Sequence, residues 1–408
     1  MTGDSMTLQI ALEAVAALAL LAWLYLLLLH GGFWRARERL PQGLPAPASW
    51  PPVVAIVPAR DEAATIAATL EGLLGQRYAG PFRIILVDDG SRDGTGEIAR
   101  ALAARDGGGR LSVLAGKPLA HGWTGKLWAV AQGIEAAKAG GAADWLFLTD
   151  ADIRHGPDTL DRLVRQAAAG RYDLVSLMAR LHCGTFWERL LIPAFVYFFQ
   201  KLYPFAWSAD PRRGTAAAAG GCVLVRARPL EALGGIAAIR GRLIDDCALA
   251  RAVKRSGGRL WIGLAAETLS LRVYDRLAPI WMMVARSAFT QLRHSAFLLI
   301  GTVLGMALLY LAPPLILVAT PWHGDRPAAL LAGAAYLAMA ASYLPMLAYY
   351  GRRPWEGFLL PLAGLLYTLM TLDSARRYWF VGGNRWKGRD YARSGASARE
   401  RDGRPAAE

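Results

Sequence analysis

Asp150 and Asp152 stand one residue apart at the end of an apolar run, in the stretch WLFLTDAD. In an extended chain, residues two apart point the same way, so the two carboxylates can converge where a buried strand ends. Carboxylates sharing one site repel each other unless a cation or a proton lies between them. The pair suits a divalent cation that holds phosphate oxygens; the alternative is a solvated polar turn with Asp152 capping it. Two further acidic clusters, Asp88-Asp89 and Asp245-Asp246, occur at comparable places. Asp88-Asp89-Gly90 also reads as a tight turn ending a strand. Asp245-Asp246 also reads as the cap of the apolar helix that follows. Lys126 follows a glycine at a helix start, where a phosphate would gain amide donors and a cation. Its alternative is a solvated first-turn lysine, and the glycine spacing of a Walker loop is absent.

These residues need elements to hold them. Val53–Val57, Phe82–Val87, Leu111–Leu114, 145–149, 172–177 and the stretch near 259–263 read as buried strands. A further strand follows Gly220-Gly221. Helices are expected over 63–74, 95–104, 125–139, 157–170, 229–233 and 246–255. This alternation predicts an α/β fold with a mostly parallel sheet covered on both faces. The polar residues gather where strands end and helices begin, the usual binding edge of such a sheet. No G-x-G-x-x-G follows the first strand, so a dinucleotide fold of that kind is unsupported.

Of the 408 residues, 54% are hydrophobic and 19% charged, the balance of a membrane protein, with a formal net charge of +14. The basic residues flank apolar runs. No basic-aromatic sheet pattern for stacking bases is visible, so a membrane surface is the expected partner rather than nucleic acid. Cys183, Cys222 and Cys247 show no zinc spacing and suit buried free thiols. Residues 7–33 read as a transmembrane anchor. Arg35, Arg37 and Arg39 follow it and place the next segment in the cytoplasm. No small-residue cleavage site precedes them. Residues 34–52 form a basic, proline-rich linker and 53–295 a cytoplasmic domain. Within that domain, the aromatic-rich 186–207 and 276–293 are expected at the membrane surface. A helix buried against the soluble core is the alternative for the former. Residues 296–320 and 328–350 are expected to span. The apolar run 357–372 contains Pro361 and Gly364 and is short for a crossing. It is expected to be re-entrant or shallow, closing a membrane region over 296–372 and leaving 373–408 as a basic cytoplasmic tail.

In order along the chain, Pro58-Ala59-Arg60-Asp61-Glu62, Asp88-Asp89-Gly90-Ser91, Asp150-Ala151-Asp152 and Asp245-Asp246 with Leu249 resemble the motifs of family 2 glycosyltransferases with the GT-A fold. The resemblance covers about 53–295. The N-terminal anchor, Gly125-Lys126-Leu127-Trp128-Ala129, the stretch 289–295 and Trp386-Lys387-Gly388-Arg389 look closest to the hopene-associated branch, with carotenoid and sphingolipid transferases as neighbours.

The resemblance implies an inverting transfer of one sugar from a nucleotide sugar, UDP-linked by analogy, to a membrane lipid such as a hopanoid. A processive polysaccharide synthase and a nonenzymatic scaffold are the competing readings. Pro58, Arg60, Asp61, Glu62, Asp88 and Asp89 would border the donor, with Asp88 on the nucleotide and Asp89 assisting a metal-facing network. Lys126 would meet the diphosphate. Asp152, with Asp150 directly or through water or the ribose, would hold Mg2+ or Mn2+. Asp246 would take the acceptor's proton, and Asp245 stands where the family usually has glutamate. Gln291, Arg293 and His294 occupy an altered Q-x-x-R-W motif at the acceptor and diphosphate region. Its missing arginine and tryptophan weaken a processive reading.

Overall fold

The computed structural model describes residues 3–141, 143–380, 384–386 and 389–391. The chain forms two compact units. One comprises residues up to Arg39, Leu181–Ala217 and Val273–Asp373; the other comprises Leu40–Arg180, Ala218–Arg272 and the residues from Ser374.

The second unit is built on an eight-stranded sheet. In chain order its strands are β1 (Val53–Ala59), β2 (Phe82–Asp88), β3 (Leu111–Ala115), β4 (Trp145–Leu148), β5 (Ile153–Arg154), β6 (Leu174–Arg180), β7 (Val223–Arg226) and β8 (Leu260–Ser270). Their order across the sheet is β3-β2-β1-β4-β7-β6-β8-β5. β1, β2, β3 and β4 pair in parallel, as do β6 and β8, whereas β7 runs antiparallel to both β4 and β6. All four residues of β4 are buried. Its unbroken apolar run follows from cover on both faces of the sheet.

Register sets up the site. Ala59 aligns with Asp88, so the loops after β1 and β2 leave the sheet at one level. Ile56 aligns with Leu148, which brings Asp150 beside them. Because β7 is antiparallel, with Val223 opposite Leu148, the turn that precedes it meets the end of β4. That is why Gly220 belongs to the acidic edge. The helix Gly125–Ala139 matches its expected span, and Thr124 caps it by accepting from the Leu127 amide. β8 runs well past the expected 263 to Ser270, and its end pairs with β5, a strand the sequence pattern does not announce.

The other unit holds apolar helices, the last of them up to Asp373. By length and composition, Met6–Leu28, Ala296–Val318, Arg326–Tyr349 and Pro354–Phe380 can each cross a membrane. The last corrects an expectation: the short apolar run 357–372 lies inside a 27-residue helical stretch, so length is no argument against a crossing. The helix Phe186–Leu202 also belongs to this unit rather than to the sheet unit. Its Glu188 is fully buried, accepting from the amides of Gly184, Thr185 and Tyr274 and pairing with His182 Nδ1 at 2.7 Å. Four donors thus absorb a charge that reads as surface-seeking in sequence. Tyr197 and Tyr367 tie the helix to its unit through Ser342 and the Leu191 carbonyl.

The segment 276–293 is two short helices, Leu277–Ala285 and Ala288–Gln291, not one. Arg293 and His294 both take left-handed backbone angles, so they form a turn rather than continuing a helix. Cys222 and Cys247 are buried free thiols, and Cys183 is half-buried. The Trp386–Arg389 motif and the basic tail lie largely outside the described residues.

Candidate functional site

The loops after β1 and β2 are laced together. The Asp61 amide donates to Ser91 Oγ at 3.0 Å, the Arg92 amide to Asp61 Oδ1 at 2.9 Å, and the Glu62 amide to Thr95 Oγ1 at 2.8 Å. Asp61 itself holds a left-handed φ of 51°, a conformation that aspartate tolerates better than most residues. Asp88 accepts from the Ser91 amide at 2.9 Å. Its other oxygen approaches Gly96 so closely that a Cβ there would lie 2.3 Å away. Glycine at 96 is therefore what lets the helix Thr95–Arg105 begin against this carboxylate. Asp89 is buried. Arg60 donates to its carbonyl at 2.6 Å and lies 3.9 Å from its carboxylate. Asp89 therefore braces Arg60.

The acids at the end of β4 are fixed through backbone. Thr65 and Thr69 both donate to the Ala151 carbonyl, at 3.1 and 2.9 Å. The Leu271 amide donates to the Asp152 carbonyl at 2.8 Å. Below them Thr149 Oγ1 donates to the Gly221 carbonyl and lies 2.8 Å from His155 Nε2. His155 is buried, and desolvation pushes its pKa down to about 3, so it remains neutral.

The two carboxylates of Asp150-Ala151-Asp152 face different cations. Lys126 Nζ lies 2.8 Å from Asp150 Oδ1 and 3.1 Å from Asp245 Oδ2. Burial works against the ammonium, but Asp150 and Asp245 outweigh it and hold its pKa above the ordinary lysine value. Lys126 is thus neither a solvated first-turn lysine nor bound only to an incoming phosphate: it joins two of the acids. Asp152 Oδ2 instead accepts from Arg272 Nε at 2.9 Å, and the same guanidinium reaches both Glu62 oxygens at 3.0 and 3.2 Å. Arg272 is the residue that sequence reasoning missed, because β8 was expected to end nine residues before it.

Asp246 sits at the start of the helix Asp245–Arg255. It accepts from the Gly220 amide at 2.9 Å and from the Cys247 amide at 2.7 Å. A Cβ on Gly220 would meet Lys126 Nζ at 3.1 Å, so this approach favours a glycine. Burial, then the neighbouring charge of Asp245, push the Asp246 pKa up to about 6; Lys126 and the two amides pull against them. The carboxylate is therefore poised to accept a proton near neutral pH. Pro58, Lys126, Asp150, Gly220, Asp245 and Asp246 line one cavity. Gln291, Arg293 and His294 belong to the helical unit, where Gln291 bonds Tyr203 and His294 lies 3.2 Å from Thr290 Oγ1.

Among the described residues no three His, Cys, Asp or Glu side chains converge on one point as a metal cage. Asp150 and Asp152 each commit one oxygen to a protein cation, which leaves a second oxygen for another ligand. One or two carboxylates completed by phosphate oxygens and water is the ordinary magnesium arrangement. The donor set therefore fits a divalent cation that arrives with a diphosphate.

Residues 54–234 match the Glycosyl transferase family 2 profile. The undecaprenyl-phosphate 4-deoxy-4-formamido-L-arabinose transferase of Pseudomonas aeruginosa is 34% identical over 108 residues, 26% of this chain and 29% of that protein. The match thus spans under a third of that relative. The succinoglycan biosynthesis protein ExoA of Rhizobium meliloti is 25% identical over 79% of this chain and 93% of its own. The mannosyltransferase PcManGT from Pyrobaculum calidifontis, solved with GDP-Man and Mn2+, superposes with a TM-score of 0.54 at 22% identity. The superposition covers 91% of this chain and 99% of that one. Residues 54–234 therefore match a glycosyl transferase family 2 domain, and the sheet has the GT-A fold of the mannosyltransferase it superposes on.

Proposed function

We propose that the protein transfers one sugar from a nucleotide-sugar donor to a membrane lipid acceptor, with inversion at the anomeric carbon. The convergence of Lys126, Asp150, Asp245 and Asp246 on one cavity carries this reading. Asp246 takes the proton of an acceptor hydroxyl as that oxygen attacks from the face opposite the diphosphate. No second carboxylate needs to bond to the sugar. Lys126 holds Asp150 and Asp245 in place and supplies positive charge beside the departing diphosphate. Asp88 and the laced loops around Asp61 border the nucleotide. Asp152, with Asp150, holds Mg2+ or Mn2+, which neutralises charge growing on the leaving group. Arg35, Arg37 and Arg39 after the first span support a cytoplasmic sheet unit.

The names of the matched relatives favour a second acceptor chemistry, the phosphate oxygen of a polyprenyl phosphate. A phosphate oxygen carries no proton that must be removed at neutral pH, whereas a polycyclic alcohol such as a hopanoid does. Purified protein, labelled nucleotide sugars, Mn2+ and either lipid class distinguish the two, with products read by mass spectrometry. Transfer to an alcohol that collapses in Asp246→Asn supports the first reading. An acid-labile sugar phosphate formed equally well by Asp246→Asn supports the second. No transfer from any donor to either lipid would overturn the enzyme reading.

A further inference from the structure

Arg272 is placed by its backbone, and its side chain reaches into solvent along part of its length. It follows the end of β8, where Ser270 and Leu269 pair with Ile153 and Arg154 and the Leu271 amide bonds the Asp152 carbonyl. Its Cα is therefore tied to the acidic turn. Its side chain is 41% exposed and ends on Asp152 and Glu62. A guanidinium cannot lose its charge, and its fork fits phosphate as well as carboxylate. A divalent cation arriving alone at Asp152 meets a fixed positive charge on the same carboxylate, and the two repel whether or not the guanidinium lets go. A diphosphate arriving with the metal removes that conflict, because it offers the displaced guanidinium an anion. Lys126 differs: its side chain is 26% exposed against 41% for Arg272 and is enclosed between Asp150 and Asp245, so Asp150 can gain a metal on its second oxygen without releasing it.

We propose that Arg272 couples the divalent cation to the donor diphosphate: it is the resident counter-ion of Asp152, and it passes to the phosphate oxygens when the metal takes that carboxylate. The inference rests on the reading of Asp152 as a metal ligand. Coupling of this kind is reciprocal, so each ligand strengthens the other by the same factor.

The test titrates Mn2+ into the full-length protein in detergent, with and without UDP or GDP, and follows free Mn2+ by electron paramagnetic resonance. In the wild type, the nucleoside diphosphate should tighten Mn2+ binding by at least about fivefold. Arg272→Gln should bind Mn2+ alone more tightly than the wild type and lose much of that gain, keeping only the part due to direct ligation. Arg272→Lys, which retains charge without the fork, should fall between them. Unchanged Mn2+ affinity and unchanged coupling in both variants would show Arg272 to be structural and overturn the inference. Asp152→Asn separates this from the underlying reading: Mn2+ binding that survives in that variant, or is absent from the wild type even with nucleotide, removes the metal assignment and the inference together.

Discussion

Two lysines illustrate how differently the two units handle buried charge. Lys126, in the sheet unit, lies against Asp150 and Asp245. Lys201, in the helical unit, donates to Tyr310 Oη at 2.9 Å and sits 4.7 and 5.7 Å from the ring centres of Tyr310 and Phe198. One ammonium is balanced by formal anions, the other by a neutral hydroxyl and aromatic faces. Deleting the first strands carboxylates beside one another. Deleting the second leaves no unbalanced charge behind. The first arrangement suits chemistry on an anionic substrate, and the second suits packing within a helix bundle.

The sharpest challenge to this contrast is Asp246→Asn. General-base loss should lower turnover by roughly 10²–10⁴, while donor affinity measured by calorimetry stays within about twofold. Lys126→Met comes next and is read through pH. In the wild type, kcat/KM should fall as pH drops through about 6, because the Asp246 carboxylate becomes protonated. Lys126 is among the groups that hold that pKa down. Its removal should raise the pKa and move the acidic limb to higher pH, and an unmoved limb would disconnect Lys126 from the base.

Lys201→Met should leave turnover within about twofold and keep or raise the melting temperature in detergent, since an apolar isostere at a buried charge is often neutral or stabilising. A large loss of turnover there would erase the distinction between the two lysines. A modest loss of stability alone is expected at Trp23, whose indole donates to the Leu309 carbonyl at 3.0 Å. Four residues on stands Pro313, which has no N–H to give that carbonyl. Trp23→Phe should cost about 1 kcal/mol by thermal unfolding, the usual scale of one hydrogen bond.

Much of the sheet unit was legible because its signals are local. An apolar run that stops at an acid, as at Leu148 and Asp150, marks both a strand and its binding edge. Thr124 and Gly140 bracket a helix to the residue. What escaped was nonlocal. β8 continues past Ala265, Ala266 and Glu267, where apolar character is weak and the register with β6 shifts, because pairing with β5 and β6 resumes at Leu269 and Ser270. Arg272 was lost with that extension. The helix Phe186–Leu202 reads as a membrane-surface segment of the 53–295 domain because Glu188, Arg189 and Lys201 are charged and Pro193 and Pro204 interrupt the apolar run. No local pattern reveals that an amide as distant as Tyr274 donates to that glutamate. The antiparallel course of β7, which delivers Gly220 to Asp246, is likewise invisible in a run of four residues.

The two threonine hydroxyls on the Ala151 carbonyl have a bearing on the working cycle. They anchor the peptide between the two acids to the helix Ile66–Leu74, so the spacing of those acids belongs to the scaffold rather than to whatever they bind. Counter-ions can then be exchanged by rotating side chains over a stationary main chain. Exchange of the Leu271 amide, which donates to the Asp152 carbonyl, should consequently be as slow in the empty protein as in the donor-loaded one. A site mounted in this way is preorganised in its main chain, so donor binding has side chains alone to order.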